Sequence, residues 1–174
     1  MARRKEEHDK KHRVRNIQKG HTLKEISHPF FSGKVCPYCL NETILANSKE
    51  VYGKSYGLIY LCRECRAWVG VHKGTTVSLG MVANDELRRL KSKAHAVFDK
   101  IAKSDLINKL MPKVVYLKNI PIVSNRKRAY IWLSKKMRVP YEYCHIGMFD
   151  ERQCKMVIGI SKKALKKIDQ KVDK

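Results

Sequence analysis

Residues 62–72 read Cys-Arg-Glu-Cys-Arg-Ala-Trp-Val-Gly-Val-His, and the residues after the second cysteine decide the fold. Two residues between cysteines let one tight turn present both sulfurs to a single ion. The same spacing occurs upstream in Cys36-Pro37-Tyr38-Cys39, with 22 residues separating the pairs. Zinc takes four ligands in a tetrahedron, so two such turns joined by a hairpin suit it. In a treble clef the second pair opens a helix. Here Cys65 is followed by Ala67-Trp68-Val69-Gly70-Val71, a strand pattern. Knuckle, hairpin, knuckle, strand is the layout of a zinc ribbon. A lone C-x-x-C is compatible with a redox pair. Two of them, in a chain without a thioredoxin-like pattern, favour one structural Zn²⁺ held by Cys36, Cys39, Cys62 and Cys65. Four thiolates leave no position open for water, and a closed site folds its module rather than catalysing.

Between the pairs, Val51, Tyr52, Tyr56, Leu58, Ile59, Tyr60 and Leu61 are strand-formers, and "GKSYG" (53–57) reads as the hairpin turn. The four thiolates carry a net charge near −2 with the ion, so Lys34, Arg63 and Arg66 have two readings: balancing the site, or contacting a nucleic acid. Cys144 and Cys154 remain; with His145 they offer three ligands at no common metal spacing, and buried free cysteines are the better reading.

Outward from this module the chain is strongly basic, with 38 Lys+Arg against 16 Asp+Glu and a net charge of +22 over 174 residues. Such a chain is drawn to polyanions, of which nucleic acid is the most abundant in a cell. At 43% hydrophobic residues it is not a disordered charge tail. No apolar run approaches the ~20 residues a membrane helix needs, and no apolar segment succeeds the basic start as in a secretory signal. These features suggest a reducing bacterial cytosol, no membrane partner, and packaging in a virion as the alternative location.

Residues 1–28 form a charged leader with sparse apolar positions, read as a flexible basic arm. Residues 29–80 are the ribbon. Residues 81–160 are a helical part, expected to pack on the ribbon, and 161–174 a lysine-rich helix or tail. The fold class expected is α+β: a small four-cysteine zinc ribbon followed by three to four helices.

The clearest helix is "NDELRRLKSKAHAVFDKIAK" (84–103), with Asn84 as N-cap and Asp85 and Glu86 at the positive end of its dipole. Leu87, Leu90, Ala94, Val97, Phe98 and Ile101 share one face, with Arg89, Lys93 and Lys100 opposite. "DLINKLM" adds a short turn stopped by Pro112. "KVVYLKNIPIVS" is extended, with Pro121 arguing against a central strand. "NRKRAYIWLSKKMRV" is a second helix with Ala129, Trp132 and Leu133 inward. Asp150 and Gln153 form a capping box that opens a third. The tail places Ala164, Leu165, Ile168 and Val172 on one side of a short, otherwise cationic helix.

His72 ends the strand after the ribbon, and His95 and Asp99 lie one turn apart on the first helix. One reading makes His72, His95 and Asp99 the metal or acid–base site of a nuclease. The favoured reading is a structural hydrogen-bond cluster, since no second carboxylate is placed to hold Mg²⁺ and no H-E-x-x-H motif is present.

"CPYC", "LCRECRAWVGVHKGT", "LGMVANDELRRLKSKAHAVFDKI", "RKRAYIWLSKKM" and "CHIGMFDERQC" together resemble a family of small zinc-finger-containing proteins found in phages, prophages and bacteria. The likeness runs over most of residues 35–158, and the segment 104–125 is longer than the usual connection. The resemblance implies that His72, Thr75, Leu87, Arg88, His95, Phe98, Asp99 and His145 are family-pattern positions. It brings a fold and a phage context, but no activity.

The function these features favour is a non-enzymatic, phage-associated zinc-ribbon protein that binds DNA or RNA mainly through phosphates. Arg63, Arg66, Lys73, Arg88, Arg89, Lys93, Arg126, Lys127 and Arg128 are the candidate contacts. Trp68, Tyr38 and Tyr56 suit stacking on unpaired bases, although core packing is the commoner use of ribbon aromatics. The alternatives are the nuclease above and an adaptor or virion protein whose partner is host RNA polymerase, the ribosome or a virion component.

Overall fold

The computed structural model describes residues 31–170, so the basic leader and the last four residues, Val172 among them, lie outside the described part of the chain. The segment between the cysteine pairs forms β1 (Ile44–Asn47) and β2 (Leu58–Cys62), and the second pair leads into β3 (Ala67–Gly70). The three make an antiparallel sheet in the order β1-β2-β3, with Ala46 opposite Ile59 and Leu61 opposite Trp68. Strand β2 is central, and its apolar run reflects the covering of both its faces. Tyr60 and Cys62 face a cluster with Cys36, Ala67 and Val82. Ile59 and Leu61 face the other way, onto Ala46 with Trp68 against them. The ribbon and the strand after Cys65 therefore stand as the cysteine order predicts.

One local expectation fails. Val51 and Tyr52 are not in a strand but in a helical turn, α1 (Lys49–Tyr52), and Tyr56 lies in the loop after it. Local polar groups overrule the β preference of those residues. Asn47 Oδ1 accepts from the Lys49 N–H at 2.9 Å, and the buried Ser48 hydroxyl accepts from the Tyr56 N–H at 2.7 Å. Gly53, at φ 69°, closes the turn in the left-handed conformation that a glycine adopts without strain.

After β3 the chain makes a small hairpin: Val71 bridges Ser78, and the His72 N–H donates to Val77 O at 2.8 Å. It then returns along β3, where Trp68 and Ala83 exchange both backbone hydrogen bonds. Helix α2 (Asp85–Ala102) begins there, with Asn84 Oδ1 accepting from the Leu87 N–H at 2.8 Å as an N-cap should. Leu87, Ala94, Phe98 and Ile101 are buried along its predicted face.

The chain forms two compact units, the first ending at Arg88 and the second beginning at Arg89. In the second, a 3₁₀ turn at Asp105–Lys109 precedes a two-stranded hairpin of β4 (Val115–Leu117) and β5 (Ile120–Ile122). Lys118 and Asn119, at φ 48° and 63°, supply the two left-handed residues of a type I′ turn, whose twist matches paired strands. Pro121 sits on an edge, as a residue without an N–H must. Helix α3 (Asn125–Met137) comes next, with Ala129, Trp132 and Leu133 buried. Helix α4 (Glu151–Asp169) opens with the expected capping box, the Gln153 N–H donating to Asp150 Oδ1 at 2.7 Å and the Asp150 N–H to Gln153 Oε1 at 3.1 Å. The third helix and the lysine-rich tail are one continuous α4 rather than two, because Val157, Ser161, Ala164 and Ile168 extend a single buried stripe.

Candidate metal centre

The two C-x-x-C turns share one backbone feature. The residue after the second cysteine of each is left-handed, Leu40 at φ 68° and Arg66 at φ 49°. Few non-glycine residues adopt this conformation, and it recurs at the matching position of both turns. In the first turn the Cys36 N–H donates to Asn41 O and the Leu40 N–H to Cys36 O, both at 2.9 Å. The turns are tied together by Asn41 Nδ2, which donates to Glu64 Oε2 at 2.7 Å. Tyr38, within the first turn, accepts the Asn84 N–H at 3.0 Å and so fixes the start of α2 to the knuckle.

The four sulfurs lie within 4.8 Å of one another, and none is in a disulfide. Cys39 and Cys62 Sγ are 3.5 Å apart, far beyond a covalent S–S bond and close to the ~3.8 Å edge of a tetrahedron with Zn–S of ~2.3 Å. Burial pushes the Cys36 thiol up to about 11 and also raises Cys65. At Cys39 burial works against ionisation too, but the Asn41 amide and the neighbouring thiols outweigh it and lower the pKa. Thiols such as the buried Cys36 and the half-buried Cys65 resist ionisation on their own, and a dication at their centre is what makes thiolates favourable. The donor set, its spacing and its closure fit zinc: Cys36, Cys39, Cys62 and Cys65 would hold it, and the ion would supply cross-linking to a sheet too small to fold on its own core.

Residues 32–164 match the zinc-finger-containing domain family. The chain belongs to that family. No curated protein and no solved structure matches it. With the four-cysteine cluster, family membership makes this a zinc-binding protein with one structural ion.

The cations singled out from the sequence fall into distinct settings. Arg63 and Arg66 are exposed on either side of Cys65, and Lys73 is exposed at the tip of the hairpin after β3. Arg63 pairs with Glu50 at 3.0 Å, whereas Arg66 makes no ion pair among the described residues. Arg88 is half-buried: it lies over the Trp68 ring, 4.3 Å from its centroid, and bonds Ala83 O and Asp85. Arg89, Lys93 and Lys127 are exposed on their helices. Arg126 donates to Asp99 at 3.2 Å and lies over Tyr130.

Arg128 corrects the sequence reading. It is 2% exposed, and its guanidinium donates to Pro112 O, Asn108 Oδ1 and Asn125 Oδ1, each at 2.6 Å. Asn108 lies in the 3₁₀ turn and Pro112 just after it, ahead of the β4–β5 hairpin, and Asn125 is the first residue of α3. The side chain holds that turn closed and is not available to a phosphate.

The three residues of the nuclease reading sit in different units, His72 in the first and His95 and Asp99 in the second. His72 is exposed on the hairpin tip. Asp99 is held by Lys103 at 2.7 Å and Arg126 at 3.2 Å, so its carboxylate is committed to cations. His95 is half-buried, and burial depresses its pKa; Asp99 opposes that effect, while Arg126, Lys103 and Lys91 add to it. The sign of the consequence is fixed: with a folded pKa below the unfolded value, the unfolded chain binds more protons. Stability from His95 is present above about pH 6.5 and is lost as pH falls below it toward the folded pKa. Thermal melts of the wild type and of His95→Gln between pH 7.5 and 5 should therefore converge as acid is added. A wild type whose advantage grows in acid would contradict this.

Cys144 and Cys154 are buried free thiols, raised by burial to about 12 and about 11. His145 is exposed and stacks on Tyr130 with the rings 10° from parallel. What sequence reasoning missed is a cleft of about 700 Å³ on the ribbon, among whose lining residues are Tyr52, Trp68, Arg63, Arg66 and Arg88. The clustered arginines were a signal for it, but the helical turn that brings Tyr52 there was not legible. No described helix is long and apolar enough to cross a membrane.

Proposed function

We propose that this zinc-ribbon protein binds DNA or RNA chiefly through phosphate contacts, as a phage-associated protein of the bacterial cytoplasm. The observation that carries the reading is the placement of its charge. Many of its cations in the described residues are turned outward: Arg63 and Arg66 at the second knuckle, Arg89 and Lys93 on α2, Lys127, Lys135 and Lys136 on α3, and Lys162, Lys163, Lys166 and Lys167 on α4 are all exposed. Surface cations in such excess repel one another, and a polyanion relieves that repulsion while releasing its own counterions. The zinc site, closed by four thiolates, fits a binding module better than a catalyst. The cationic surround of Asp99 likewise argues against a divalent metal there, and so against the nuclease.

Fluorescence anisotropy with labelled single- and double-stranded DNA and RNA tests the proposal. Affinity should fall at least about a hundredfold between roughly 50 and 200 mM salt, the response expected when four or more phosphates are neutralised. The same assay with Mg²⁺ or Mn²⁺ should leave the strands uncut. Absence of binding at low salt, or a flat salt response, overturns the reading.

A further inference from the structure

The ribbon cleft combines cationic and aromatic chemistry in one pocket. Three arginines line it, Arg63, Arg66 and Arg88, and so do the aromatic rings of Tyr52 and Trp68. Two acids, Glu50 and Asp85, also line it, but each is paired with one arginine, Arg63 and Arg88 respectively. Arg66 has no such partner among the described residues, so the balance of the cleft is cationic and Arg66 is the cation offered to an incoming anion.

The aromatic side is built in layers. Arg88 covers one face of Trp68, held there by its bonds to Ala83 O and Asp85. Tyr52 meets Trp68 edge-on, with centroids 5.3 Å apart and planes at 77°. Tyr56 in turn meets Tyr52 at 5.5 Å and 87°. Tyr52 is 51% exposed and Tyr56 73%, so both rings keep open surface for a ligand. The two exposed rings are set edge to face, Tyr52 lining the cleft and Tyr56 against Tyr52, and together they make a notch at its margin. A planar base lying flat on one ring meets the other edge-on, the pairing that ring quadrupoles favour.

We propose that this notch, with Arg66 and Arg63 beside it, is a site for an unpaired nucleotide, so that the ribbon prefers single-stranded to double-stranded nucleic acid. A base inside a duplex has both faces covered by its neighbours and cannot lie on a tyrosine. An unpaired base can, while its phosphate reaches an arginine. The inference rests on the nucleic-acid reading above and adds the substrate class to it.

The test uses the zinc-loaded chain, a labelled oligothymidylate of about 15 nucleotides and a mixed-sequence duplex of about 20 base pairs at one salt concentration. Tyr56→Ala should weaken oligothymidylate binding about tenfold, within the range for loss of one stacked base, and leave duplex binding within about twofold. Tyr56→Phe should keep wild-type affinity, because stacking needs the ring and not the hydroxyl. Arg66→Ala should weaken both probes and flatten the salt dependence. If Tyr56→Ala binds both probes as wild type does, or loses both equally, the cleft proposal falls while phosphate binding stands. If the wild type binds neither probe at low salt, both readings fall.

Discussion

Stripping zinc from the protein with a chelator is expected to unfold the ribbon and leave the second unit helical. The physical reason is the size of the ribbon's core. Tyr60, Cys62, Cys36, Ala67 and Val82 form one small cluster and Ala46, Ile59 and Leu61 another, and two of those eight residues are themselves metal ligands. Cores of this size do not hold a sheet against chain entropy, whereas structural zinc sites contribute on the order of 10–16 kcal/mol at neutral pH. Cys36→Ser and Cys62→Ser should act like the chelator, since each removes a buried ligand. Three measurements read the outcome. Metal analysis should find one zinc per chain. Near-ultraviolet dichroism should lose the signal of Trp68, which is clasped between Arg88 and Tyr52. Far-ultraviolet helicity from α3 and α4 should persist. A metal-free protein that keeps a folded ribbon would refute the structural role of the ion.

The second large effect is expected at Arg128. Its burial is supported by three carbonyl acceptors and by no carboxylate among the described residues, so the charge is balanced by dipoles alone. Arg128→Ala removes those hydrogen bonds and leaves a cavity where the side chain was buried. With hydrogen bonds to a charged group worth about 1.5–3 kcal/mol each, and the cavity added, the loss should reach about 3 kcal/mol or more. Arg128→Lys keeps the charge but not the planar fork, and should lose roughly half of that. Denaturant titration of the second unit measures both. Under the proposed function, any folded Arg128 variant should bind nucleic acid with the wild-type salt slope, because this arginine is buried. By contrast, Arg66→Ala should leave stability unchanged and reduce the salt slope.

Features under the control of local patterning were legible in the residues. The C-x-x-C spacing, the strand after Cys65, the Asn84 cap, the apolar face of α2 and the Asp150–Gln153 box all depend on neighbours within a few positions. Each of these stands where the pattern places it. Misreading began where a few polar side chains outvoted propensity. Val51 and Tyr52 are strand-formers, yet Ser48 and Asn47 offered the backbone a turn and Gly53 closed it. The break expected before the tail was an error of another kind, since Ser161 looks polar in sequence and is wholly buried in α4.

By itself, the sequence determined the ligand set, the ribbon order and the excess of positive charge. These depend on which residues are present and on spacings of two or three. The tertiary structure alone decided which charges are free. Arg66 and Arg128 look equivalent as basic residues beside apolar ones, but one is open to solvent and the other is buried and committed to holding a turn. It also decided that Tyr56 stands bare while Tyr60, four residues on, is core. Exposure is set by what the rest of the chain lays over a side chain, and no local spacing encodes that.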